Sequence, residues 1–167
     1  EDPKSPHQVE LTGDQLNQGS HYDESFVDQL TLKDGSAYTI TFSGKDMAGN
    51  IATDVSINNI VFDSVSPKIS VELPKANGYY NSINLDFSID ENLSKGEIIV
   101  ERTGGAADPA SPHKIDLIDN QVKKGKKSGI IIDQLTNLTS NASYDIKIEG
   151  IDIAGNNGTS NIINDVT

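Results

Sequence analysis

Apolar residues in this chain recur at every second position rather than with the spacing of a helix. The alternation is clearest at Ile83, Leu85, Phe87 and Ile89, which would place all four side chains on one face of a strand. No window keeps apolar residues at positions i, i+3, i+4 and i+7 for three turns, because glycine or asparagine interrupts each candidate. The pattern therefore predicts an all-β protein.

Clusters of glycine, proline, asparagine and serine separate these segments, and such residues favour turns. Seven strands are predicted in the second part of the chain, at 68–72, 82–90, 96–101, 113–119, 129–135, 143–152 and 161–167. Four strands are predicted in the first part, at 8–12, 25–30, 37–46 and 53–63. Short strands with frequent turns are typical of an immunoglobulin-like antiparallel β-sandwich.

The chain repeats itself at an interval of 106 residues. The segment Asp2-Pro-Lys-Ser-Pro-His7 returns as Asp108-Pro-Ala-Ser-Pro-His113, and the segment 38–50 returns over 144–156. A shorter match, between 28–31 and 133–136, has an offset of 105. Because this period is the size of a small domain, each complete repeat can carry its own core.

The two copies differ in extent. Residues 1–63 match 108–167, whereas nothing in the chain matches 64–107. We therefore predict one complete module over 64–167, preceded over 1–63 by the last four strands of another. Half a sandwich would leave its apolar inner face in water. Either the sequence simply starts within a module, or strands from another chain or from the neighbouring module complete it.

The amino-acid composition of the chain limits the classes of binding partner that we expect. The net charge is −12, and residues 1–63 alone carry 11 acidic and 3 basic side chains. An acidic surface repels the phosphate backbone, so we expect no nucleic-acid partner, while divalent cations are compatible with it. The absence of cysteine excludes disulfides and thiolate metal sites. No run of about 18 apolar residues occurs, so we expect no membrane insertion.

In each copy, an aspartate is the last inward-facing residue of one predicted strand. Counting by twos from Tyr38 leads to Asp46, and counting from Tyr144 leads to Asp152. A carboxylate at such a position must accept hydrogen bonds or bind a cation. Asp46 and Asp152 are therefore either acceptors for the backbone N–H groups of their own turns or calcium ligands. Tyr38 and Tyr144 are predicted to hydrogen-bond back to the preceding loop.

The residues after each aspartate predict a tight turn, since glycine and asparagine tolerate positive φ. They are Gly49 and Asn50 in the first copy, and Gly155 and Asn156 in the second.

Asp63 and the two repeated histidines are further candidate site residues. Asp63 precedes Pro67 at the predicted boundary and could bind calcium together with Asp119 or Glu91, or it could simply cap a turn. His7 and His113 occupy equivalent positions without any spacing that suggests zinc, so loop packing is expected.

The basic run 123–127 has no basic counterpart in the first copy, so we predict a solvated hairpin tip. No nucleophile elbow, metal-binding helix or phosphate-binding glycine loop occurs, so the sequence predicts no enzyme.

The pattern Tyr-x-Ile-x-Ile-x-Gly-x-Asp-x-Ala-Gly-Asn at 144–156, together with Val61-Phe-Asp-Ser-Val-Ser-Pro67, resembles the bacterial Ig-like (Big-type) tandem repeats of large cell-surface adhesins and surface fibre proteins. In that family a motif Asp-x-x-x-Pro links successive modules, which here corresponds to Asp63 and Pro67. The resemblance implies an extracellular, non-catalytic extender module whose partners are neighbouring modules of its own chain. Two alternatives stay open: a filament subunit with strand complementation between copies, and a ligand-binding head domain.

Overall fold

The computed structural model describes residues 1–22, 24–26 and 30–167, and all its paired strands are antiparallel. The chain divides into two compact units, Glu1–Ser64 and Val65–Thr167. Within the described residues, helical structure is limited to short 3-10 turns, at Gly13–Leu16, Asp119–Val122 and Ile132–Gln134. The predicted all-β, antiparallel sandwich class is confirmed.

Two strands of the first unit form a β-hairpin. Strand β1, Ser36–Phe42, pairs with β2, Val55–Phe62, so that Tyr38 lies opposite Ile60 and Ile40 lies opposite Ile57. These strands correspond to the predictions at 37–46 and 53–63. The prediction of a strand over 8–12 is wrong, because the structure has none there, and the prediction over 25–30 lies partly outside the described residues.

Two sheets make up the second unit. The strands are β3 Ile69–Leu73, β4 Asn84–Ile89, β5 Leu93–Gly105, β6 His113–Asp116, β7 Gly125–Ile131, β8 Ala142–Asp152, β9 Asn157–Thr159 and β10 Ile163–Val166. One sheet has the order β3-β4-β7. The other has the order β10-β8-β5-β6, with β9 also paired to β8.

The core lies between these two sheets. Along β8 the residues alternate strictly between buried and half-buried, as a strand with one inward face requires. Ile146 and Ile148 are fully buried there, and Leu85 and Phe87 of β4 are fully buried in the other sheet. Pro67 is also buried and lies against Gly158. The second unit thus closes its own hydrophobic core.

Some predicted strand limits in the second unit are wrong. The strand predicted over 129–135 begins four residues earlier, at Gly125, and its last part is the turn Ile132–Gln134. Lys126 and Lys127 interrupt the alternation of apolar and polar residues, so the sequence gives no strand signal there. Lys127 is nevertheless buried and pairs with Phe87 across the sheet. The strand β9 was not predicted, because Asn157–Thr159 has no apolar alternation.

The missing strand at 8–12 has a physical explanation. Its counterpart by the repeat is β6, and β6 pairs with β5 alone. β5 belongs to the segment 64–107, which has no equivalent in residues 1–63. A strand without a partner leaves its backbone N–H and C=O groups unpaired, so the same sequence pattern gives a strand in one unit and none in the other.

Candidate functional site

The turn after β8 is organised by the buried carboxylate of Asp152. One oxygen accepts hydrogen bonds from the backbone N–H groups of Gly155 at 2.7 Å and Asn156 at 2.9 Å. The other oxygen accepts one from the side-chain amide of Asn156 at 2.8 Å. In the first unit, Asp46 accepts bonds from the backbone and side chain of Asn50 at 2.8 and 2.7 Å. The turn hydrogen bonds expected from the sequence are therefore present in both units.

The tight geometry of these turns depends on glycine. Gly49 and Gly155 have φ values of 93° and 100°, in the region that side chains disfavour. Positive φ falls on these glycines and not on Asn50 or Asn156, whose part in the turn is to donate hydrogen bonds.

Hydrogen bonding keeps both carboxylates ionised. The side chain and backbone of Asn50 lower the pKa of Asp46. Burial acts to raise the pKa of Asp152, but hydrogen bonds from Asn156 and Gly155 outweigh it and the pKa is lowered. Each carboxylate therefore accepts three hydrogen bonds from its own turn.

The predicted calcium ligands are divided between the two units. A carboxylate oxygen of Glu91 lies within 4.8 Å of one of Asp152, both in the second unit. Asp63 is half-buried at the end of the first unit, and Asp119 begins a 3-10 turn with a φ of 50°. Calcium binding at Asp46, Asp63 or Asp152 stays a prediction.

A buried polar network joins four residues of the second unit that come from different loops and strands. The Asp108 carboxylate lies 2.7 Å from His113 Nε2 and accepts a 2.6 Å hydrogen bond from the Tyr144 hydroxyl. His113 Nδ1 lies 2.8 Å from the Thr136 hydroxyl. The Asp108 and His113 side chains are 3% and 6% exposed, so the network is an internal cross-link between loops and strands.

The first unit repeats this network. Asp2 lies 2.7 Å from His7 Nε2 and accepts a 2.7 Å hydrogen bond from the Tyr38 hydroxyl. Tyr38 also accepts a bond from the backbone N–H of Lys33 at 2.7 Å, as Tyr144 does from its own preceding loop. Both tyrosines thus bond back to the preceding loop, and the Asp–His partnership is an addition that the sequence analysis missed.

A usable signal for this network was present in the sequence. Aspartate, histidine and tyrosine all recur at one offset, as Asp2, His7 and Tyr38 and again 106 residues later. Polar residues that keep their mutual spacing through a repeat are candidates for mutual contact. The neighbouring residues of His7 and His113 show no metal or catalytic spacing, which is why the local sequence alone indicates loop packing.

Acid should weaken the second unit through Asp108. The hydrogen bonds from Tyr144 and His113 lower the pKa of Asp108 from 3.8 to about 2. Because the folded state favours the ionised form, this contribution is complete above pH about 4 and is lost as the pH falls towards 2. We expect the gap in urea midpoint between wild type and Asp108→Asn to shrink over that range. Asp116→Asn, at an exposed position, serves as the control, and a gap independent of pH would contradict the assignment.

The basic run 123–127 is less solvated than predicted. Lys127 is 9% exposed and its ammonium donates to the carbonyls of Lys123 and Gly125 at 2.7 and 3.0 Å. Lys126 forms a 2.6 Å ion pair with Glu72, which raises the pKa of Lys126. Two of the four lysines therefore make contacts within the fold, whereas Lys123 and Lys124 are exposed.

An exposed apolar surface occupies one side of the β1–β2 hairpin. We call Ile40, Phe42, Ile57 and Ile60 the hairpin face, and they are 43%, 48%, 52% and 40% exposed. Contiguous apolar surface of this kind usually marks an interaction site. The hairpin face is therefore a candidate binding surface of the first unit.

No model of a known protein family matches the chain, and no curated protein matches it. Among residues 1–22, 24–26 and 30–167, no helix has the length and hydropathy needed to cross a membrane.

Proposed function

We propose that this chain is a non-catalytic, load-bearing segment of an extracellular bacterial surface protein, built from immunoglobulin-like modules. The observation that carries the proposal is the second unit, which closes a complete two-sheet core within Val65–Thr167. A module that needs no neighbour to fold can be repeated to set the length of a stalk.

The polar groups of the second unit support a structural role. Every buried side-chain nitrogen or oxygen among the described residues has a hydrogen-bond partner. The side chains of Asp108, His113 and Asp152 are all hydrogen-bonded to other groups of the second unit. A catalytic group would instead face a cleft, and neither side chain of the Asp108–His113 pair is more than 6% exposed.

Pulling on the second unit tests this proposal. The chain has no cysteine, so Ser66→Cys and Thr167→Cys provide unique attachment points for a single-molecule force experiment on the full chain. We expect one abrupt unfolding event that releases about 330–360 Å of extended chain, less the distance between the folded ends. The event should occur at lower force after Ile146→Ala, because a weakened core unfolds faster.

Gradual extension without a discrete event would contradict a load-bearing role. So would an unfolding force that is unchanged by Ile146→Ala, since the core would then not be what resists the load.

A further inference from the structure

The hairpin face of the first unit has a counterpart in the second unit that is covered. By the 106-residue repeat, the four residues of the hairpin face correspond to Ile146, Ile148, Ile163 and Val166. Those four are 0%, 0%, 9% and 0% exposed. The pairing is also shared, because Tyr144 lies opposite Val166 and Ile146 opposite Ile163, as Tyr38 lies opposite Ile60 and Ile40 opposite Ile57.

The same backbone irregularity accompanies both hairpins. The register shifts between Tyr38 and Ile40 in the first unit and between Ile163 and Val166 in the second. Asn59 and Asp165, again 106 residues apart, take φ values of 61° and 54°. The first unit therefore already has the strand geometry that the second unit uses to form a core.

Three strands that lie beside or over the counterpart face come from one segment. β5 pairs along the edge of β8, with Ile98 opposite Ile148 and Val100 opposite Ile146. β3 and β4, in the facing sheet, contribute buried residues to the same core, among them Val71 and Phe87. All three strands lie within residues 65–106, and no stretch of residues 1–64 matches that segment.

One edge of β8 pairs with β5. The corresponding edge of β1 has no paired strand among the described residues. Within the described part of the chain, β2 is the strand that β1 pairs with, whereas β8 pairs with β5 as well as with β9 and β10. An open strand edge beside an apolar face is the arrangement that accepts an added strand.

Charge disfavours a second copy of the first unit as the occupant. Residues 1–63 carry 11 acidic and 3 basic side chains, so two copies would repel each other strongly. Residues 65–106 carry 6 acidic and 4 basic side chains and would be repelled far less.

We propose that the hairpin face is a docking surface for a polypeptide segment with the strand pattern of residues 65–106. A strand equivalent to β5 adds to the open edge of β1, and a pair equivalent to β3 and β4 packs over Ile40 and Phe42. The cluster of Asp2, His7 and Tyr38 already holds the start of the chain as its counterpart holds the chain after β5.

A fused chain tests the proposal. Residues 65–106 are placed directly before Glu1, which reproduces the native spacing because Asp2 corresponds to Asp108. Phe42→Cys then introduces the single cysteine of the molecule, and its rate of labelling by a thiol reagent is measured with and without the added segment. We expect the segment to slow labelling on the order of a hundredfold, since a buried thiol reacts only after local opening.

Two controls make the result specific. Val61→Cys, in β2 opposite Ala37 and off the hairpin face, should label at the same rate in both chains. Ile98→Asp in the added segment alone should restore rapid labelling of Phe42→Cys, because its counterpart in β5 is fully buried.

Three results would overturn the proposal. The first is equally rapid labelling in both chains. The second is slow labelling that persists with Ile98→Asp, which would mean unspecific shielding. The third is slow, concentration-dependent labelling of the unfused chain, which would identify a second copy as the occupant. The labelling reports on the first unit and the force experiment on the second, so failure of either proposal can be told from failure of the other.

Discussion

Replacing Ile146 with alanine should lower the free energy of unfolding of the second unit by about 2–5 kcal/mol. Ile146 is fully buried in β8 and lies opposite Val100 of β5 and Ile163 of β10. Alanine removes three carbon atoms from a site that is enclosed by both neighbouring strands and the facing sheet, so a cavity remains. The measurement is urea unfolding of the full chain, followed by amide NMR signals from β8.

The repeat supplies a matched control for this substitution. Ile40 corresponds to Ile146 but is 43% exposed, so Ile40→Ala should change the stability of either unit by no more than about 0.5 kcal/mol. Equal losses from Ile40→Ala and Ile146→Ala would mean that both faces are covered, and our description of the hairpin face would be wrong.

Replacing Gly150 with valine should destabilise the second unit by about 1–3 kcal/mol through overpacking. Gly150 lies on the inward side of β8, and a Cβ at this position would come within 2.7 Å of the Leu93 side chain and 3.0 Å of the Ile69 side chain. The two methyl groups of valine extend further into the same space. Thermal unfolding of the full chain, monitored on the β8 signals, measures the loss.

Gly44 is the matched position in the first unit. A Cβ on Gly44 would meet no atom within 4 Å, so Gly44→Val should leave the unfolding temperature of the second unit unchanged and not perturb the hairpin signals. A loss of stability from Gly44→Val as large as that from Gly150→Val would show that Gly44 also lies in a packed interior.

Strand alternation was sufficient to predict the architecture of the second unit because that unit contains all the partners its strands need. Alternating residues such as Leu85, Phe87, Ile146 and Ile148 are fully buried as the pattern requires. The same local pattern failed at 8–12, where the partner strand is missing. Local sequence determines which face of a strand is apolar, but a sheet also requires a neighbour with free backbone groups.

A buried lysine explains why the start of β7 was predicted wrongly. Lys127 lies within β7 and is buried, because its long side chain reaches back to the carbonyls of Lys123 and Gly125. A hydrophobicity pattern that counts lysine as polar and exposed cannot predict that the Lys127 side chain is buried in this way. The start of β7 was therefore placed four residues too late.

The polar sites were predictable to different degrees. The turn hydrogen bonds of Asp46 and Asp152 were one of two interpretations that the sequence offered, because each residue and its partners lie within four positions along the chain. The network of Asp108, His113 and Tyr144 joins residues up to 36 positions apart, and only the fold brings them together.

Amide hydrogen exchange on the 167-residue chain tests the central claim most directly, namely that the second unit is a complete sandwich and the first presents an uncovered half. We predict that amides of β8 over 142–148 exchange at least about a thousandfold more slowly than those of β1 over 36–42, because only β8 is paired on both edges and covered on its inner face. Comparable protection of the two strands would contradict the account.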